Sequence, residues 1–165
     1  MSIHDLSDIA TIIAGLVAAV GAPIALLTFK ADREQKVNEQ IFYLHDYLTR
    51  KEFHDSRLLI REHMPPKPIE AWTDEEKQAA NFVCSSYDQA GILIVNRIIG
   101  PFPARVFLES SWGESICHQY EKLAPYLDSP RTPGGLTGRE YFWTFGKLYV
   151  QARDVQKNRK AQAPR

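Results

Sequence analysis

Residues 9–29 read IATIIAGLVAAVGAPIALLTF. The stretch holds no charged side chain, no Asn and no Gln, and its only hydroxyls are Thr11 and Thr28. A helix rises about 1.5 Å per residue, so these 21 residues reach roughly 30 Å, the hydrocarbon thickness of a bilayer. A secretory signal fits less well. Residues 1–8 carry His4, Asp5 and Asp8 but no Lys or Arg, the apolar run is long, and the small-residue site Val20-Gly21-Ala22 is followed by Pro23. A buried helix of a water-soluble core is the competing reading, because Ala and Gly keep the run only moderately hydrophobic. The sequence predicts a transmembrane helix at 9–29 behind a short extracytoplasmic N-terminus, 1–8.

Orientation follows from charge. Lys30, Arg33 and Lys36 come directly after the span, against acidic residues before it. Basic flanks stay on the cytoplasmic side, so the larger C-terminal part is expected in the cytoplasm and these three side chains at the surface of the inner or plasma membrane. Pro23 removes one backbone donor and is expected to kink the helix, a defect better tolerated in lipid than in water. Gly15, Ala18, Ala19 and Ala22 recur at small-xxx-small spacing, which lets two backbones approach and allows a homodimer through the span.

The remaining residues, about 130 of the 165, are enough for one domain with a buried core. Twenty basic and 20 acidic residues balance to zero net charge, which argues against a whole-chain attraction to nucleic acid. The chain is 44% hydrophobic and 24% charged, the composition of a folded domain rather than a disordered one. Cys84 and Cys117 stand alone, without CxxC spacing, and are read as buried reduced thiols in a reducing compartment.

Helical periodicity organises the chain beyond the span. Val37, Ile41, Leu44 and Leu48 form a stripe widened by Phe42, Tyr43 and Tyr47, the first helix of a bundle rather than a stalk. Four places then set a Ser or Thr three residues ahead of a Glu: Thr49 and Glu52, Thr73 and Glu76, Ser111 and Glu114, Thr137 and Glu140. In such a capping box the hydroxyl accepts from an orphan amide while the carboxylate reaches back. The resulting helices are 51–63, with Phe53, Leu58, Leu59 and Met64 inward; 74–99, with Phe82, Val83, Tyr87, Leu93, Ile94 and Ile98 inward and Gly91 at a close helix contact; a short 104–109; 112–127; and one from Arg139 carrying Tyr141, Phe142, Phe145, Leu148 and Tyr149 inward. Trp112 and Trp143 are expected in the core. No strand pattern is present. The expectation is an all-α chain: one N-terminal transmembrane helix, a cytoplasmic helical bundle of about five helices at 30–152, and a basic C-terminal tail at 153–165. Arg153, Lys157, Arg159, Lys160 and Arg165 of that tail either rest on anionic headgroups or cap a frayed helix end.

Chemistry is sparse. His45, Asp46, His54, Asp55, His63 and the pair Glu114 and His118 are ligand types, but two Glu-x-x-His pairs or a His-Glu-x-x-His are lacking, so no metal is expected. There is no Gly-x-Ser-x-Gly, P-loop or dinucleotide fingerprint, and no cofactor is expected. The enzymatic alternative is Arg57 and His63, spaced as in the Arg-x(4–6)-His motif of a helical ribonuclease superfamily of toxin and defence systems. There the pair would activate a ribose hydroxyl and stabilise phosphate charge. Leu58 stands where that superfamily usually has a polar residue.

The segment FVCSSYDQAG at 82–91, Ser111-Trp112, YEKLAPYL at 120–127 and the Arg131 to Phe145 continuation resemble a bacterial family of unknown function, small single-span membrane proteins with a C-terminal helical domain. The resemblance implies that architecture and carries no functional residue. The leading expectation is a membrane-anchored interaction or regulatory protein with an unknown protein partner. The ribonuclease and an accessory subunit of a membrane complex are the alternatives.

Overall fold

The computed structural model describes residues 28–63, 67–130 and 135–162, without the side chains of His63 and Gln162. The predicted span up to residue 27, its small-residue stripe (Gly15, Ala18, Ala19 and Ala22), Met64 and Arg131 lie outside the described residues. The chain divides into two compact units, 1–39 and 40–165. In the first, residues 28–39 are helical, Lys30, Arg33 and Lys36 are exposed, and Gln35 donates to Glu39 at 2.9 Å. No helix among the described residues is long and apolar enough to cross a membrane.

The second unit is all-α, with no strand among its described residues. It opens with α1 (40–49) and continues with α2 (Lys51–Leu58), which runs into a π-turn (Leu59–His63). A 3₁₀ turn (Ile69–Ala71), α3 (Asp74–Val95), α4 (Pro101–Glu109), α5 (Ser111–Lys122), α6 (Ala124–Asp128), α7 (Gly138–Tyr141) and α8 (Trp143–Gln162) follow. A lone bridge between Pro130 and Thr137 closes the loop before α7.

Two of the four expected capping boxes form. Thr73 and Glu76 bond reciprocally at the start of α3, and Thr137 and Glu140 at the start of α7. At α5 the cap moves one residue back: Ser110 accepts from the Trp112 amide at 3.2 Å, and Ser111 is already helical. Thr49 caps nothing, because its hydroxyl donates back to the His45 and Asp46 carbonyls and ends α1 instead.

Three helix ends also differ from the periodic reading. Arg97 takes a left-handed φ of 58° after α3 stops at Val95, so Ile98 turns outward, 60% exposed, while Ile99 is buried. The expected helix 112–127 breaks at Leu123 because Pro125 has no amide to donate one turn back. The last expected helix breaks at Phe142, which enters the core while Tyr141 and Trp143 stay exposed.

The core lies between α3 and α8, with α4 and α5 also packed on α8 and α2 on α3. Leu44, Leu48, Val83, Tyr87, Phe107, Ile116, Phe145 and Leu148 are fully buried, and Phe42 and Tyr43 are exposed. Each such side chain contributes roughly 1.5–3 kcal/mol by leaving water. Two features fix the α3–α8 contact. A Cβ on Gly91 would stand 2.6 Å from the Thr144 carbonyl oxygen, so only glycine permits this approach. Asp88 on α3 accepts from the Phe145 amide at 3.0 Å and from the Thr144 hydroxyl, capping α8 from another helix.

Candidate functional site

Arg57, the sequence-predicted arginine, points into the domain. On α2 and its π-turn the inward positions are Ser56, Arg57 and Ile60, whereas the expected Phe53, Leu58 and Leu59 are only half-buried. Arg57 as a whole is 7% exposed. Its Nη2 donates to the Leu48 carbonyl at the end of α1, where the helix has no amide of its own to offer. Its guanidinium carbon lies 5.1 Å from the centroid of the Trp112 ring and 5.8 Å from that of Tyr87, a cation–π box.

Tyr87 in turn bonds Ser115 at 2.9 Å, and the His45 and Trp112 rings meet nearly perpendicular with centroids 5.9 Å apart. The α5 side chains take two carbonyls of α2 and its π-turn. Gln119 donates to Arg57 O at 3.1 Å, and Lys122 to Arg61 O at 2.6 Å. His63 ends this turn, and its side chain lies outside the described residues.

The electrostatics of this cluster are unusual. No carboxylate pairs with Arg57 among the described residues, and burial pushes its guanidinium below the ordinary arginine range, with Tyr87 opposing. Burial likewise raises Tyr87, against the pull of Arg57. Arg57 Nη1 and Gln119 Oε1, one donor and one acceptor, are buried without a hydrogen-bond partner among the described residues. Gln119 and Ser115 were not singled out by sequence, and Tyr87 was read only as a core residue. The signal for Gln119 was present: it is a polar residue at i+3 from Ile116 on the apolar face of α5.

Two grooves flank the cluster. One, of about 470 Å³ between α2 and α3, is lined by Leu58, Leu59, Ala79 and Phe82, by Ser56 and Gln78, and by the exposed Glu52, Asp55 and Glu75. The other, of about 670 Å³ between α5 and α8, sets Glu114, His118 and Glu121 against Arg153, Lys157 and Lys160, with Cys117 and Gln156 between. Cys84 is buried and Cys117 half-buried, and neither forms a disulfide among the described residues. Burial, reinforced by Glu121, pushes the Cys117 thiol up, away from the thiolate a nucleophile needs.

The stretch read as a basic tail is helical through Gln162. Gln156 donates to Leu108 O at 2.7 Å, and Arg159 to Glu109 O at 2.7 Å, closing the end of α4. His45, His54 and His118 are exposed, and no group of three or more His, Cys, Asp or Glu side chains among the described residues is placed to hold a metal.

No protein-family model, no curated protein and no solved structure matches the chain. Its functional reading therefore rests on geometry.

Proposed function

We propose that the chain is a membrane-anchored helical interaction or regulatory protein. Residues 9–29 are dissolved in the bilayer, Lys30, Arg33 and Lys36 sit at the inner headgroups, and a helical bundle faces the cytoplasm. On this reading the spans of two copies pair through Gly15, Ala18, Ala19 and Ala22. The chain then takes its place beside the small single-span bacterial proteins it resembles.

The observation that carries the proposal is the burial of Arg57. A ribonuclease of the Arg-x(4–6)-His kind needs its arginine facing a phosphate, where the positive charge is worth most as negative charge develops. Here the guanidinium holds the Leu48 carbonyl and lies against Trp112 and Tyr87, so it serves the fold. The same domain keeps Phe42, Phe102 and Trp143 in water, and aromatic side chains of this kind are enriched where proteins meet.

The test is fractionation of the full-length chain with a C-terminal reporter, alongside His63→Ala. Recovery with membranes, a cytoplasmic reporter and an unchanged His63→Ala phenotype support the proposal. A soluble chain, an extracytoplasmic reporter, or loss of an RNA-dependent phenotype in His63→Ala overturns it.

A further inference from the structure

The groove between α2 and α3 carries an inference that rests on the interaction reading and gives the partner a chemistry. Helical periodicity puts Glu75, Ala79 and Phe82 on one face of α3, with Lys77 on the far side. From α2 and its π-turn, Glu52, Asp55 and Leu59 fall on the facing side. The apolar part of the lining, Leu58, Leu59, Ala79 and Phe82, continues past the groove, since Phe82 meets Phe53 with ring centroids 6.4 Å apart and Phe53 meets Tyr47 at 5.3 Å. Glu52, Asp55 and Glu75 are exposed and pair with no cation among the described residues.

An apolar channel between two helices, edged by three unneutralised carboxylates, has the complement of a helix with aliphatic residues along one stripe and Lys or Arg beside it. Such a helix seats its apolar face by the i, i+4, i+7 anchors that grooves of this kind receive. Its cations meet the carboxylates at the rim, where charge sets partner choice and encounter rate more than raw affinity. The volume, about 470 Å³, falls in the roughly 300–1,000 Å³ range of ligand pockets and suits the anchor side chains of one helix rather than a folded domain.

We propose that the α2–α3 groove docks a cationic amphipathic helix of a partner protein.

The probe is a synthetic helical peptide with leucines at i, i+4, i+7 and i+11 and lysines flanking them, labelled with fluorescein and carrying one photoreactive phenylalanine in the leucine stripe. It is titrated by anisotropy into the full-length protein in a neutral detergent, with protein-free micelles subtracted. Expected are saturable binding, crosslinks to α2 and α3, and loss of affinity by about tenfold or more in Glu52→Lys combined with Glu75→Lys. Added salt weakens the binding. Both substituted residues are exposed, and an unchanged helical spectrum and melting temperature verify that the variant folds.

Equal binding by the double variant overturns the proposal, as do equal binding by spermine or by a lysine peptide without leucines, and crosslinks elsewhere. A chain that remains in membranes while the peptide ignores the groove removes this proposal and leaves the anchored-module reading standing. A chain that fractionates as soluble removes that reading whatever the peptide does.

Discussion

The guanidinium of Arg57 donates to the carbonyl of Leu48, joining the last turn of α2 to the end of α1 inside an aromatic box. The bond completes a helix terminus but takes an uncompensated charge out of water. A charged group buried without a counter-ion costs several kcal/mol, offset among the described residues by the carbonyl and two ring faces.

Two substitutions separate these effects. Arg57→Ala empties the box and orphans the Leu48 carbonyl, and is expected to cost about 3 kcal/mol of stability. Arg57→Met fills the box without the charge and is expected to cost about 1 kcal/mol or less, because a well-packed apolar side chain often replaces a buried ion without loss. Urea denaturation of the full-length chain in detergent measures both. Equal losses would place the value of Arg57 in its bond to Leu48 rather than in packing.

Gly91 sets the spacing of α3 and α8. Replacing it with Ala gains up to about 1 kcal/mol of helix propensity. The added methyl, however, would stand 2.6 Å from the Thr144 oxygen and 2.9 Å from its carbon, both backbone atoms that move only with α8. The net expectation is a loss of about 2 kcal/mol, read as a lowered urea midpoint. An unchanged midpoint would mean that the two helices separate at little cost.

The caps supply an internal control. Thr73→Ala and Thr137→Ala each remove a hydroxyl that accepts a helix-start amide, for an expected loss of about 1 kcal/mol each. Thr49→Ala removes an exposed hydroxyl that only doubles up on carbonyls of α1, and should cost less than about 0.5 kcal/mol. Thermal melts of the three variants test the order, and a Thr49 variant as damaged as the other two would contradict it.

Much of this architecture was legible in the residues, and the misses share a cause. The starts of α3 and α7 are written locally, since Thr73 and Glu76 or Thr137 and Glu140 need only each other. Leu44, Leu48, Val83, Tyr87 and Leu148 were legible because they repeat at helical spacing. Arg57 was not, because an arginine in an apolar box is stabilised by Trp112 and Tyr87, residues distant in sequence. Asp88 capping Phe145 is likewise a relationship across 57 residues, and no local pattern announces it. The misplaced ends at Ile98 and Tyr141 reflect periodicity alone, which cannot see that Arg97 turns left-handed or that the chain breaks at Phe142.

Acid should loosen the domain through three carboxylates. Lys67, with the Thr73 amide, holds Glu76 below its ordinary 4.5; Arg139 holds Asp128 below 3.8; and the Thr137 amide holds Glu140 below 4.5. A carboxyl with a depressed folded pKa contributes stability that is present above the unfolded value and is lost as pH falls through the folded one. The melting temperature should therefore change little from neutrality down to about pH 5 and decline below about pH 4. Glu76→Gln and Asp128→Asn should each flatten that decline while lowering the neutral-pH value. A decline as steep in the double variant as in the parent would assign the acid sensitivity to other groups.

The proposed topology makes a directional prediction. Lys30, Arg33 and Lys36 stand directly after the proposed span, and residues 1–8 hold no Lys or Arg. Orientation follows the Lys and Arg bias close to the span ends and is little affected by acids. Replacing the three with Gln removes the nearest bias, and adding Ser2→Lys with Ile3→Lys reverses it. A C-terminal β-galactosidase fusion of the parent should be active and an alkaline phosphatase fusion inactive, because the first enzyme works inside the cell and the second outside. The five-residue variant should shift activity toward the phosphatase. If the parent already favours the phosphatase, or if neither fusion is recovered with membranes, the basic cluster does not hold the domain on the inner face and the anchored reading falls with it.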